Sequence, residues 1–126
     1  MRIRKLFSFE AAHALPHHAG KCARPHGHSY RLEVTVRGPL RDDGPDRGMV
    51  MDFADVEAVV DAAAIGRLDH RDLNAIVENP TCERVLLWIA RALAPQLPQL
   101  DELVLWETAT ACAVLRGDEL EAALQV

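Results

Sequence analysis

Residues 26–37 constrain this chain more than any other segment. They read His-Gly-His-Ser-Tyr-Arg-Leu-Glu-Val-Thr-Val-Arg. Tyr30, Leu32, Val34 and Val36 recur at period two, with Arg31, Glu33, Thr35 and Arg37 between them. Successive side chains on a strand point to opposite faces, so this pattern predicts a β-strand with one wet face and one face that another layer must cover. His26 and His28 occupy the apolar face of the same strand. Two imidazoles therefore point the same way at one end of a sheet.

The remainder completes an α+β reading. Residues 2–13 predict a second strand, with Ile3, Phe7, Phe9 and Ala11 on one face and a break in alternation at Lys5-Leu6. His13 continues that apolar face. Pro16, Gly20 and Pro25 make residues 14–25 a loop, and Gly38-Pro39 ends the second strand. Asp52 is the predicted N-cap of a helix over 53–65 that Gly66 ends; residues 68–74 then form a loop. Thr81 caps a second helix over 82–94, stopped by Pro95 and Pro98. Strands over 102–107 and 111–116 close the chain. The expected architecture is a single domain over 1–126, with a four-stranded antiparallel sheet and two helices on one face in the order ββααββ.

Composition narrows function. Of 126 residues, 49% are hydrophobic and only 5% aromatic, so aliphatic side chains must fill the core. The formal charge of -5 disfavours a general nucleic-acid binder. No apolar run has the roughly 20 residues that a membrane-spanning helix needs, and the basic start Met1-Arg2-Ile3-Arg4-Lys5 leads into no apolar stretch of a secretory signal. Three cysteines, Cys22, Cys82 and Cys112, are an odd and widely spaced set, which suits a reducing cytoplasm better than a disulfide framework.

If the first two strands pair across the 14–25 loop, His13, His26 and His28 converge. Three neutral imidazoles suit Zn²⁺ and leave a fourth position open, the pattern of catalytic rather than structural sites; Fe²⁺ or Co²⁺ also fit such a donor set. Cys22, beside Lys21 and Arg24, is a candidate proton acceptor or nucleophile, a candidate fourth zinc ligand, or inert. Cys82 and Cys112 read as small apolar fillers, Cys112 on an inner strand. Glu107 ends an apolar strand face, where a carboxylate needs a partner; its two oxygens match a group offering parallel N–H donors, and a solvated strand end is the ordinary alternative. Asp69-His70 is a possible acid–base pair, although neighbours in sequence seldom join within their own dipeptide, and Asp72 competes for His70. Glu83 is favourable charge at a helix start. Lys5, Arg24, His17 and His18 are candidate polyphosphate contacts.

Taken together, Phe9-Glu10-Ala11-Ala12-His13, Cys22-x3-His26-Gly27-His28, Leu68-Asp69-His70-x3-Asn74, Asn79-Pro80-Thr81-x-Glu83 and Glu107-Thr108 resemble the 6-pyruvoyl tetrahydropterin synthase family over nearly the whole chain. The three-residue gap between Cys22 and His26 is similar to its bacterial 6-carboxy-5,6,7,8-tetrahydropterin synthase branch. The resemblance implies a tunnelling fold whose subunits pool their sheets into a barrel, as trimers stacked into hexamers. It implies zinc on His13, His26 and His28, Cys22 as proton acceptor, and Asp69 and His70 supplied by a neighbouring subunit. Glu107 and Thr108 would anchor the pterin ring. The implied reaction turns 7,8-dihydroneopterin triphosphate into 6-carboxytetrahydropterin, acetaldehyde and triphosphate, for queuosine or another deazapurine. Trp106 and Arg71 depart from the family pattern, which carries a smaller or basic residue and a second histidine there. A triphosphate lyase stopping at the pyruvoyl product, an enzyme cleaving dihydroneopterin without its phosphates, and a non-catalytic module with structural zinc are the competing readings. A generic zinc hydrolase lacks its helical H-E-x-x-H motif here.

Overall fold

The computed structural model describes residues 1–125. Strands β1 (Arg2–His13) and β2 (His26–Arg37) pair antiparallel over their full length, from Arg2↔Arg37 to His13↔His26. Both strands have the predicted bounds. Leu6 turns to the outer face, 56% exposed, so Phe7 and Phe9 keep their places in the core.

Helix α1 (Phe53–Val60) starts where Asp52 accepts a hydrogen bond from the Ala54 N–H at 2.8 Å. It does not end at Gly66. A π turn over Asp61–Ile65 carries it into the single turn α2 (Gly66–Leu68). The wider turn lets the Gly66 N–H reach the Asp61 carbonyl. A Cβ on residue 66 would sit 2.9 Å from that oxygen, so glycine here marks close approach rather than termination. Gly66→Ala, which stabilises an ordinary exposed helix position, is expected to destabilise this one by about 1–2 kcal/mol, measured by thermal melting.

The predicted loop over 68–74 contains structure. Strand β3 (Arg71–Asp72) adds in parallel to β1, and a 3₁₀ turn (Leu73–Ala75) follows. Helix α3 (Cys82–Leu93) is capped by Thr81, whose hydroxyl accepts from the Arg84 N–H at 3.2 Å, and it buries Val85, Leu86, Ile89, Ala90 and Leu93. Strand β4 (Leu100–Trp106) begins two residues before the predicted start, past a register shift at Thr35/Val36, and stops short of Glu107. Strand β5 (Cys112–Arg116) pairs with β4.

The sheet is therefore five-stranded and mixed, ordered β3-β1-β2-β4-β5, not four-stranded and antiparallel. A further helix, α4 (Gly117–Leu124), follows β5 and buries Leu120 and Ala123. Gly117 makes the entry at φ +54°, the left-handed region that glycine adopts without strain. Cys112 pairs with Trp106 and lies on the outer face of the sheet, so it is exposed rather than a core filler, while Ala113 and Leu115 of the same strand turn to the core. The core is one cluster: Leu32, Val34, Leu103 and Leu105 of the sheet meet Val56, Leu86, Ile89 and Leu120 of the helices. Each fully buried aliphatic side chain there contributes roughly 1.5–3 kcal/mol. Among the described residues no helix is long and apolar enough to cross a membrane.

Candidate active site

The β1–β2 register brings three histidines together. His13 is opposite His26, and Ala11 is opposite His28, so the three imidazoles gather on the helix-covered face at one end of the sheet. Their ring centroids are 4.6, 5.0 and 4.9 Å apart, and one donor nitrogen from each lies within 4.8 Å of the others. His13 is 2% exposed.

Hydrogen bonding sets the tautomers. His13 Nδ1 is 2.7 Å from the Pro80 carbonyl oxygen, and His26 Nδ1 is 2.7 Å from that of Arg24. A carbonyl only accepts, so both Nδ1 atoms carry the proton in the neutral rings. The two Nε2 atoms then face each other as lone pairs across 3.0 Å. His28 Nε2 is buried and has no hydrogen-bond partner among the described residues. Burial holds His28 below the usual imidazole range; Glu107 opposes this, and the His13 and His26 rings add to it. Lone pairs turned on one another inside a protein are unfavourable unless a cation lies between them. Tetrahedral zinc at 2.0–2.1 Å holds its donors about 3.3 Å apart, close to the 3.0 Å between the His13 and His26 nitrogens. The backbone carbonyls behind His13 and His26 are the outer partners that orient metal-binding imidazoles. The residues present fit a divalent metal.

Cys22 lies in a 3₁₀ turn (Lys21–Ala23) of the loop before β2, half-buried, and is not a member of the donor group. Its carbonyl accepts from the Leu15 N–H at 2.9 Å, which pins the turn. Glu107 reaches the cluster's rim: Oε1 is 3.9 Å from His28 Nε2. Thr108 is exposed, and its hydroxyl accepts from the Thr110 N–H at 3.3 Å. Cys82 is half-buried as expected, its thiol donating to the Leu105 carbonyl at 3.3 Å and pushed up to about 12 by burial and by Glu107. Trp106 turns to the opposite face, where its indole N–H donates to Glu33 at 2.6 Å and Arg31 lies over the ring.

Asp69 and His70 do pair within their own dipeptide. His70 adopts φ +58°, and its Nδ1 comes 3.0 Å from Asp69 Oδ1. The same oxygen accepts from the Glu10 N–H at 2.9 Å; that bond, with His70 beside it, holds the Asp69 carboxyl below the usual carboxylate range. Asp72 does not compete, because it accepts from the Asn74 N–H. His70 is exposed along a groove of about 530 Å³ lined by Glu10, Ala12, Gly27, Ser29 and Arg71 as well. Of the phosphate candidates, His18 accepts from the Gly20 N–H, and Lys5 lies 3.6 Å from Glu57. Lys5 is eight residues from His13 along an extended strand, about 26 Å.

Sequence reasoning named two further contributors without giving them a role at the site. Asn74 pairs with both backbone groups of Ala14, accepting from its N–H and donating to its carbonyl at 2.8 Å each, directly after His13. Tyr30 lies under the cluster, its ring centroid 5.6 Å from that of His28. The polar body of an Asn in a turn segment and the hydroxyl on an otherwise aliphatic strand face were the available signals.

Known proteins are similar to this chain in sequence and fold. The model of the 6-pyruvoyl tetrahydropterin synthase family covers residues 2–118. A Synechocystis protein named 6-carboxy-5,6,7,8-tetrahydropterin synthase is 45% identical over 115 residues, 88% of this chain and 89% of the relative. A Pyrococcus furiosus protein named dihydroneopterin monophosphate aldolase is 42% identical over 103 residues, 79% of this chain and 83% of the relative. The solved Caenorhabditis elegans 6-pyruvoyl tetrahydropterin synthase superposes with a TM-score of 0.80 at 26% identity, covering 94% of this chain and 96% of that one. With the family model spanning both histidine-bearing strands and the rest of the sheet, the chain belongs to the 6-pyruvoyl tetrahydropterin synthase family.

Proposed function

We propose that this protein is a zinc-dependent 6-carboxy-5,6,7,8-tetrahydropterin synthase, converting 7,8-dihydroneopterin triphosphate and water to 6-carboxytetrahydropterin, acetaldehyde and triphosphate. The observation that carries the reading is the inward-turned trio of His13, His26 and His28, two of them oriented by backbone carbonyls. The 45% identity to a protein of that name supports the substrate class. A divalent ion held by these rings supplies Lewis acidity, which lowers the pKa of bound side-chain hydroxyls and stabilises negative charge on their oxygens.

The chain's own groups do the rest. Glu107, with Thr108 beside it, accepts hydrogen bonds from the N–H edge of the pterin ring and fixes the reacting side chain against metal and base. The Cys22 thiolate removes a proton from that side chain, which drives triphosphate loss. His70, held by Asp69, moves protons during tautomerisation and carbon–carbon cleavage. The pair comes from a neighbouring subunit, in a barrel of pooled sheets assembled as a hexamer in the reducing cytoplasm, and the product feeds deazapurine synthesis, queuosine among the end points.

The Pyrococcus relative favours a second reading, in which the same site cleaves a dihydroneopterin monophosphate without losing phosphate. Mass spectrometry of products separates the readings. With dihydroneopterin triphosphate, acetaldehyde and triphosphate are expected together. Triphosphate without acetaldehyde identifies the pyruvoyl-type lyase. Turnover confined to the monophosphate, with phosphate retained, identifies the aldolase.

A further inference from the structure

The Tyr30 hydroxyl is buried and lacks a hydrogen-bond partner among the described residues, and none of the steps above uses it. Tyr30 is 1% exposed, and its ring stacks on Phe9 with centroids 4.8 Å and planes 6° apart. Phenylalanine fills that slot equally well and leaves no orphaned polar atom. A tyrosine there is destabilising unless its hydroxyl finds an acceptor in some state of the protein.

Register identifies the acceptor. β2 and β4 pair as Leu32↔Leu105 and Arg31↔Trp106, and Tyr30 and Glu107 are the next residues past that last pair. Tyr30 lies on the histidine face, its ring centroid 5.6 Å from that of His28, and Glu107 reaches the same histidine. Glu107 Oε1 is 3.9 Å from His28 Nε2, beyond hydrogen-bond length. A metal on that nitrogen removes it as a donor altogether, and Tyr30 is then the donor facing the carboxylate across the strands. Glu107 stands just past the end of β4 with its side chain 26% exposed, which leaves it room to rotate.

We propose that Tyr30 is a positioning residue: once the three-histidine site is loaded, its hydroxyl donates to the Glu107 carboxylate and fixes it, leaving the remaining lone pairs to meet the N–H edge of the pterin. This rests on the reading of Glu107 as the ring anchor.

The chain holds a single tyrosine, so its signal is unambiguous. UV resonance Raman of the tyrosine doublet, on metal-stripped and zinc-loaded protein, is expected to show a change to a strong hydrogen-bond donor on loading. The change should be absent from Glu107→Ala. Tyr30→Phe is expected to keep its zinc and its melting temperature while binding neopterin, followed by fluorescence, about tenfold more weakly. A doublet that does not move on zinc loading overturns the proposal, and this holds whatever the variants do. Weakened neopterin binding in Glu107→Ala with none in Tyr30→Phe also overturns it, and leaves the anchor reading standing. Unchanged neopterin affinity in Glu107→Ala overturns the anchor reading itself.

Discussion

His26→Ala is expected to lose metal and turnover together while the fold survives. His26 contributes one of three inward nitrogens, and two imidazoles are fewer than the three protein ligands that catalytic zinc sites use. Removing an outer partner already costs about 10–100-fold in metal affinity, so removing a ligand should exceed about 100-fold. Loss of Lewis-acid stabilisation then lowers kcat/KM by at least about 10³-fold. The fold should tolerate the change. His26 sits at the first position of β2, outside the hydrophobic cluster, and truncating it relieves the 3.0 Å approach of two lone pairs. Metal content by plasma mass spectrometry, turnover and a thermal melt of the metal-free form measure all three. A His26→Ala protein that turns over substrate without metal would end the zinc mechanism.

How much of this was legible beforehand follows from which physical signals a sequence carries. Period-two alternation set the bounds and faces of both long strands, and pairing across the 14–25 loop then brings His13 against His26. The donor trio was therefore readable. The groups that orient it were not, because the Pro80 and Arg24 carbonyls are backbone atoms that any residue type supplies. β3 escaped notice because two residues have no periodicity, and α4 because eight residues with two buried positions and no side-chain cap resemble a turn. Gly66 misled by its usual meaning: the same residue that ends helices also tolerates the close carbonyl of a π turn. The Asp69–His70 contact depends on a left-handed φ at a non-glycine residue, which sequence does not announce.

Cys22→Ala is expected to separate catalysis from metal binding. The thiol is outside the donor group, and the turn that carries it is held by a backbone bond from Leu15 that alanine preserves. Zinc content and melting temperature should match those of the unaltered protein. If Cys22 is the proton acceptor, kcat falls by about 10²–10⁴-fold, the range that a positioned general base contributes. Neopterin affinity should change little, because the proposed ring anchor is Glu107, so the loss should appear in kcat rather than KM. The structural-zinc alternative predicts the reverse. With a fourth thiolate ligand the metal would bind as closed-shell scaffolding, and alanine would release it and lower stability while there was no turnover to lose. Metal retained with turnover gone supports the enzyme; metal and fold lost together removes it. Cys22→Ser sharpens the contrast, since a hydroxyl is too weak an acid to replace the thiolate as base yet nearly matches its size.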